Sequence, residues 1–217
     1  MRPGFDLGLY LVTDRTLCGD RGIPWVVTVA VAGGVTMVQL RDDTTPSSEL
    51  IALARVLVDQ LAAHAVPLIV NNRLDVALAS GAAGLHVGQM DLVPVAARAA
   101  LGPAAILGLS ITATAQLAAV DPALVDYLGV GPIFATATKL DAAPAMGLAG
   151  LAACRAAGAL PIVAIGGIDA TNAAAIMQAG ADGVAVVSAV CAATSPRAAA
   201  AALARRIGRL NNEREAP

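Results

Sequence analysis

The sequence predicts an α/β protein built as a single (β/α)8 barrel, the TIM barrel. Three features support this: eight short runs rich in Val, Ile and Leu, alanine-rich stretches between them, and polar residues where the runs end. Near-continuous apolar runs are typical of parallel strands that helices cover on both faces. Eight such units in 217 residues fit a compact barrel. A doubly wound open sheet is the alternative, but no glycine-rich dinucleotide motif follows the first run.

The elements follow one another at regular spacing. The predicted strands cover residues 7–14, 36–41, 66–72, 83–88, 104–110, 126–134, 160–167 and 182–190. The predicted helices cover about residues 23–33, 46–64, 74–80, 93–101, 113–119, 147–157, 171–179 and 195–209. Prolines lie near four helix starts, where their missing N–H costs nothing: Pro24, Pro46, Pro94 and Pro196. Glycines follow five helices, where a left-handed residue is often required: Gly33, Gly81, Gly102, Gly158 and Gly180. We expect one domain over residues 1–217, with a frayed polar tail at about 210–217.

The composition excludes several classes of partner. The chain is 57% apolar, has a formal net charge of −2 and contains only 2% aromatic residues, so neither a nucleic-acid surface nor a membrane-binding face is expected. The longest apolar run, residues 25–40, is too short to span a bilayer and is interrupted by Gly33 and Gly34. The amino terminus has no apolar signal segment. Three distant cysteines are expected to be reduced thiols, and we predict a cytoplasmic protein.

The segment VQLRDD, residues 38–43, is the first to depart from bulk apolar sequence. Alternation along a strand places Met37, Gln39 and Arg41 on one face and Val38 and Leu40 on the other. We expect the first face to point into the barrel mouth and the second to pack against helices. Asp42 is expected to be a solvated loop acid.

The polar residues at the strand ends indicate a site for oxyanions. A barrel enzyme builds its active site at the carboxyl ends of its strands. The backbone amides of IGGI, residues 165–168, and the start of the eighth helix resemble the phosphate site that follows strands 7 and 8 of many barrels. Arg41 and Lys139 are suited to a second, more highly charged group, and Asp91 to a Mg²⁺ ion.

No nucleophilic triad is recognisable in the sequence. Of the two histidines, His64 ends an amphipathic helix and is expected at the surface. His86 lies in the fourth strand, where a hydrogen-bonded interior histidine is favoured over a substrate contact. Two phosphorylated ligands and one metal suggest group transfer with a pyrophosphate-like leaving group.

At these residues the sequence closely resembles the thiamine-phosphate synthase family, over about residues 7–200. The most specific segments are GGVTMVQLR, GLHVGQMDL, YLGVGPIFATATK with APAMGL, PIVAIGGI, and AGADGVAVVSA. The resemblance implies that a hydroxymethylpyrimidine pyrophosphate couples to a hydroxyethylthiazole phosphate and releases pyrophosphate. In the family the carbon–oxygen bond is thought to break first, and the thiazole nitrogen then traps the pyrimidine cation. Such chemistry needs stabilisation of the departing oxyanion and alignment of the two reactants, and it does not need a strong base.

The resemblance also implies roles for individual residues. Catalysis would involve Lys139, which neutralises the leaving group, together with Arg41 and Ser110. The pyrimidine pyrophosphate would contact Gln39, Arg41, Asn71 and Ser110. The thiazole phosphate would be held by Thr136, Thr138, Gly167, Val187 and Ser188. The cofactor would be Mg²⁺, with Asp91 as a ligand.

Two positions depart from the family pattern. Lysine is common where this chain has Asp43, and a metal-binding aspartate is common where it has Asn72. The first change makes the site two charges more negative and the second makes it one charge more positive, so the site is one charge more negative. We hypothesise that Asp43 partly replaces the missing metal ligand at position 72.

Two other functions remain open at this point. A related thiazole tautomerase shares the barrel but uses a histidine just after strand 5, where this chain has Ile111 and Thr112. A barrel that binds thiamine precursors without turnover is the other alternative. The alanine-rich helices could also pack against a neighbouring subunit, which leaves a homo-oligomer open.

Overall fold

A computed structural model describes residues 4–136, 138 and 143–208. Eight parallel strands close into a barrel in chain order, with β8 paired to β1. The strands are β1 Leu9–Val12, β2 Met37–Leu40, β3 Leu68–Asn71, β4 Gly84–Val87, β5 Ile106–Ile111, β6 Tyr127–Val130, β7 Ile162–Ile165 and β8 Gly183–Val186. Every strand lies within its predicted run, except that β5 continues one residue further. The (β/α)8 prediction is therefore confirmed, and the open-sheet alternative is wrong.

Helices cover the outside of the barrel. They are α1 Arg15–Cys18, α2 Gly22–Val31, α3 Ser47–Ala62, α4 Leu74–Ser80, α5 Pro94–Leu101, α6 Gly147–Ala157, α7 Ala173–Gln178, α8 Ser188–Cys191 and α9 Pro196–Arg206. Two short 3₁₀ segments, Gly19–Arg21 and Thr114–Ala119, complete the described helical structure. Within the part of the chain that the structure describes, no helix is both long and apolar enough to cross a bilayer.

Five details of the predicted elements are wrong. The short helices α1 and α8 were not expected, and the last residues of the run 182–190 belong to α8 because the pairing of β8 with β1 ends at Val186. The predicted helix 113–119 is a 3₁₀ helix. Gly33 is not left-handed, and a Cβ there would overlap the Arg197 carbonyl oxygen, so it serves the close approach of α9. Gly158 is extended, with φ −150°.

Side chains alternate between two apolar layers. The outer layer between the strands and helices includes Val38 and Leu40, whereas Met37 belongs to a smaller cluster inside the barrel. The orientation predicted for residues 37–40 is therefore confirmed. The inner cluster consists of Leu7, Tyr10, Val12, Met37, Ile69, Ile106, Tyr127, Val163 and Ala185. These side chains fill the barrel interior, so the barrel is a packed core rather than a pore, and the site is expected at the rim formed by the carboxyl ends of the strands.

Candidate active site

The predicted site residues lie at the rim of the barrel. Gln39 is in β2, Asn71 ends β3 and Ser110 is in β5. Gly167 is the second residue after β7, and Val187 directly follows β8. Parallel strands of a closed barrel end at the same rim, so these positions face one region. Lys139 lies outside the described residues.

Two ion pairs join the segment after β1 to the segment after β2, and one of them holds Arg41. An Arg41 Nη2 donates to Asp14 Oδ2 at 3.3 Å, and Arg15 Nε donates to Asp42 Oδ2 at 2.7 Å. Each of two neighbouring residues after β1 therefore pairs with one of two neighbouring residues after β2. The Arg41 side chain remains 20% exposed, which leaves guanidinium N–H groups available to a ligand.

Asp42 is buried, so its predicted position as a solvated acid is wrong. Its side chain is only 3% exposed. Besides Arg15, the carboxylate accepts the backbone N–H groups of Thr44 and Thr45 at 3.1 and 2.9 Å and their hydroxyls at 3.1 and 2.8 Å. Burial alone would raise the pKa of Asp42, but the bonds from Arg15 and Thr45, with that from Thr44, outweigh it and hold the pKa well below its usual value. Asp42 therefore anchors the turn that follows Arg41.

A chain of hydrogen bonds crosses the barrel interior beneath the rim. Gln39 Nε2 donates to the Tyr10 hydroxyl at 2.9 Å, and the Tyr10 and Tyr127 hydroxyls lie 2.9 Å apart. The Tyr127 hydroxyl is 2.9 Å from His86 Nδ1, and His86 Nε2 is 2.9 Å from Ser110 Oγ. The chain therefore connects two predicted substrate contacts, Gln39 and Ser110. It also confirms that His86 is an interior, hydrogen-bonded histidine, whereas His64 is exposed as predicted.

Both tyrosines of this network are fully buried. Burial raises the pKa of Tyr10 far above its ordinary value, although its bonds to Tyr127 and Gln39 oppose the shift. Burial also raises the pKa of Tyr127, and the neighbouring Tyr10 and Asp126 add to the effect. Both phenols are therefore neutral near pH 7, where each can donate one hydrogen bond.

The glycines after β7 bring two loops together at the rim. Gly166 and Gly167 have φ of +103° and +63°, a region that favours glycine. A Cβ on Gly166 would lie 2.5 Å from Pro132 Cβ, and one on Gly167 would lie 2.7 Å from the Ala135 carbonyl oxygen. The glycine loop is thus packed directly against the loop after β6, which carries the predicted phosphate contacts Thr136 and Thr138. In that loop Thr138 N–H donates to Thr136 Oγ1 at 3.3 Å.

The loop after β8 contributes the remaining predicted contacts to the rim. Val187 is half-buried and Ser188, the first residue of α8, is exposed. The helix that begins beside the predicted phosphate site is therefore the short α8. The helix predicted at residues 195–209 is α9, which begins later in the chain.

The three predicted metal-binding residues lie on loops after β2, β3 and β4. Asp91 is partly buried, and one of its carboxylate oxygens accepts the Gly88 N–H at 2.6 Å. Asn72 is left-handed, with φ +58°, and its N–H donates to the His86 carbonyl oxygen at 2.9 Å. Asp43 is exposed. Among the described residues, no three His, Cys, Asp or Glu side chains form a cluster that could hold a metal alone.

The roles of Tyr10, Tyr127, Asp14 and Asp42 were not predicted from the sequence. One signal was available: the chain has only two tyrosines, and both lie in apolar strand runs where a phenol requires a partner. No comparable signal marked Asp42, whose principal charged partner is 27 residues away.

The architecture and the rim define a (β/α)8 barrel whose mouth presents neutral donors, an arginine and tightly packed glycine loops to its ligands. The sequence model of the thiamine monophosphate synthase family matches residues 9–190. This chain belongs to that family.

Similar proteins carry names consistent with this assignment. A thiamine-phosphate synthase of Azorhizobium caulinodans is 54% identical over 199 residues, which cover 92% of this chain and 94% of that protein. The thiamine-phosphate synthase of Xanthobacter autotrophicus is 53% identical, with 94% and 96% covered. A solved structure of thiamine phosphate pyrophosphorylase from Pyrococcus furiosus superposes with a TM-score of 0.84 at 32% identity, covering 93% and 95% of the two chains. Thiamine phosphate synthesis, rather than thiazole isomerisation or binding without turnover, is the activity that these findings support.

Proposed function

We propose that this barrel joins a hydroxymethylpyrimidine pyrophosphate to a hydroxyethylthiazole phosphate and releases thiamine phosphate and pyrophosphate. The observation that carries the proposal is family membership over nearly the whole barrel, residues 9–190. The polar rim described above supports it, because both substrates present phosphate oxygens to the protein.

The pyrimidine pyrophosphate is assigned to the side of the rim formed by β2, β3 and β5. Arg41 offers guanidinium donors there, and Gln39, Asn71 and Ser110 are neutral polar groups on the neighbouring strands. An arginine can bind two phosphate oxygens at once, which makes it the natural anchor for the charged group. Lys139 is assigned to the departing pyrophosphate as a second positive charge.

The thiazole phosphate is assigned to the opposite side of the rim. Thr136 and Thr138 offer hydroxyls from the loop after β6, and Ser188 offers another from α8. Gly167 allows a phosphate to approach the backbone because it has no side chain. Val187 would line the pocket with its backbone.

The proposed reaction does not require the protein to transfer a proton. The carbon–oxygen bond to pyrophosphate breaks and its electron pair leaves with the oxygen. The lone pair of the thiazole nitrogen forms the new carbon–nitrogen bond, and no proton has to be removed. The main tasks of the site are therefore to stabilise charge on the leaving oxygen and to align the two rings.

The donor set fits Mg²⁺ held largely by the substrate. Mg²⁺ commonly uses one or two carboxylates together with substrate phosphates and water, so a cluster of three acidic residues is not required. The carboxylate of Asp91, after β4, is the principal candidate, with Asn72 on the neighbouring loop after β3 and Asp43 on the loop after β2. When bound, the ion would supply positive charge to the pyrophosphate oxygens.

A single assay tests the proposal. Purified protein is incubated with both substrates and Mg²⁺, and thiamine phosphate and pyrophosphate are measured together. Equal amounts of both products are expected. Binding of the substrates without product would contradict the proposal and favour a binding protein, and isomerised thiazole carboxylate phosphate would favour the tautomerase. Ile111 and Thr112 argue against the latter, because the tautomerase has a histidine just after strand 5 and this chain has none there.

Two further properties are proposed, the cellular location and the oligomeric state. A cytoplasmic location is supported by the three cysteines, Cys18, Cys154 and Cys191, which are buried and unpaired. A homo-oligomer remains a proposal that light scattering of the purified protein would test.

A further inference from the structure

The hydrogen-bond chain beneath the rim has a direction. Gln39 donates to Tyr10 through its amide nitrogen, so the Tyr10 hydroxyl is the acceptor in that bond. The phenol has one proton of its own, and its other partner in the network is the Tyr127 hydroxyl, 2.9 Å away. A buried hydroxyl proton without an acceptor is costly, so Tyr10 donates to Tyr127.

The same reasoning determines the next two bonds. Because Tyr127 accepts from Tyr10, its own proton is available to His86 Nδ1, 2.9 Å away. His86 Nδ1 then carries no proton, and a neutral imidazole in that state is protonated at Nε2. The Nε2–H group donates to Ser110 Oγ at 2.9 Å. The hydroxyl proton of Ser110 is therefore left to donate to a group at the rim.

The packing of the barrel maintains this arrangement. The rings of Tyr10 and Tyr127 meet edge to face with centroids 6.0 Å apart, and those of His86 and Tyr127 are 5.5 Å apart. On β5, a Cβ at Gly108 would overlap both the Tyr127 ring and His86 Nδ1. On β6, a Cβ at Gly129 would lie 2.9 Å from His86 Cε1. Glycine at both positions thus provides the space that the two rings occupy.

We propose that Tyr127 is a positioning residue: it fixes His86 as the Nε2–H tautomer, so that Ser110 presents its hydroxyl proton to an acceptor atom of the pyrimidine substrate. The role of the substrate in this inference rests on the proposed function. The tautomer does not, because the bonds that determine it all lie within the protein. Gln39 and Ser110, on opposite sides of the network, are thereby coupled through the barrel interior.

Nitrogen-15 NMR of the histidine rings tests the tautomer directly in the ligand-free protein. The chain has only two histidines, so the His64→Gln variant leaves a spectrum of His86 alone. The spectrum is recorded at about pH 8, above the ordinary histidine pKa of about 6.5. We expect a protonated Nε2 and an unprotonated Nδ1. A protonated Nδ1 in this spectrum would overturn the proposal, whatever any other variant does.

Two tyrosine variants provide a matched comparison. Tyr127→Phe removes the donor to His86 Nδ1, and we expect the two tautomers to mix. Tyr10→Phe also removes one buried hydroxyl from the network but leaves the Tyr127–His86 bond in place, so the Nε2–H tautomer should persist. An unchanged tautomer in Tyr127→Phe would refute the positioning role. If Tyr127→Phe does not fold, the Tyr10→Phe spectrum still tests the proposal. Loss of the Nε2–H tautomer of His86 in that variant would contradict the proposed direction of the hydrogen-bond chain.

Kinetics test whether Tyr127 acts through Ser110. The single-turnover rate of Tyr127→Phe at saturating substrates should fall about fivefold, the equivalent of one hydrogen bond of about 1 kcal/mol, with KM for the thiazole phosphate unchanged. In a Ser110→Ala background the same substitution should have no further effect. Additive effects would show that Tyr127 acts independently of Ser110. A wild-type protein that forms no thiamine phosphate would refute the proposed function and leave the NMR result intact.

Discussion

Replacing Asp42 by alanine should destabilise the protein far more than the same change at its neighbour Asp43. The two residues are adjacent, and both substitutions remove one negative charge. They differ in surroundings, because Asp42 is buried with donors on both oxygens and Asp43 is exposed. The comparison therefore isolates the contribution of the buried contacts.

The expected loss of stability depends on which hydrogen-bond donors lose the Asp42 carboxylate as their acceptor. Thr45 is partly buried, and its N–H and hydroxyl, at 2.9 and 2.8 Å from the carboxylate, contribute about 1 to 1.5 kcal/mol each. Arg15 is 56% exposed and Thr44 is exposed, so water replaces most of their bonds and they add little. Asp42→Ala should therefore lower the free energy of unfolding by about 2 to 3 kcal/mol, and Asp43→Ala should change it by less than about 0.5 kcal/mol.

Urea denaturation followed by circular dichroism at pH 7 measures both values. The low pKa of Asp42 adds a second test: its stabilising effect is present above the unfolded carboxyl value of about 3.9 and is lost as the pH falls through the lower folded value. The difference in the free energy of unfolding between wild type and Asp42→Ala should therefore become smaller as the pH falls below about 4. Equal destabilisation by the two alanine variants at pH 7 would refute the assignment of Asp42 as the anchor of this turn.

Three further predictions concern the interior and the rim. Gly108→Ala should cost about 1 to 3 kcal/mol of stability in urea denaturation, because its Cβ overlaps the buried Tyr127 ring, whereas Gly158→Ala, with no close neighbour, should cost little. Asp43→Asn should raise the Mg²⁺ concentration that gives half-maximal rate, and an unchanged Mg²⁺ titration would show that Asp43 does not replace a metal ligand. Lys139→Ala should lower the single-turnover rate at saturating substrates, because charge on the departing pyrophosphate is no longer neutralised, and an unchanged rate would exclude that role.

Much of the fold could be predicted from the sequence because it depends on local patterns. Parallel strands covered on both sides are uniformly apolar, so all eight were recognisable as short runs between alanine-rich helices. The direction of the Gln39 side chain into the barrel followed from alternation within β2 alone. The strand ends were less predictable, because the end of β8 depends on where its pairing with β1 stops.

The contacts that form only when the barrel closes could not be predicted from the sequence. Asp42 looked like a solvated acid because its partner Arg15 belongs to the previous strand–helix unit, and the pairing depends on the alignment of β1 with β2. Tyr10 and Tyr127 are separated by 117 residues and meet across the barrel interior. The residues predicted to bind ligands were recognisable from their side-chain chemistry, whereas the residues that hold them in place are identified only by what they contact.

The charged and the neutral groups of the proposed site lie in different places, and the proposed chemistry depends on this difference. The positive side chains assigned to pyrophosphate, Arg41 and Lys139, belong to the rim and the loop after β6, whereas the network beneath the rim consists of an amide, two phenols, an imidazole and a hydroxyl. Burial keeps both phenols protonated, so under the proposed mechanism these phenols would place no negative charge beneath the developing pyrimidine cation. An ionised group there would form a tight pair with the cation and compete with the thiazole nitrogen for it. In the proposed reaction, a neutral interior with directed hydrogen bonds would instead orient the pyrimidine, and the positive charges of Arg41 and Lys139 would stabilise the departing pyrophosphate.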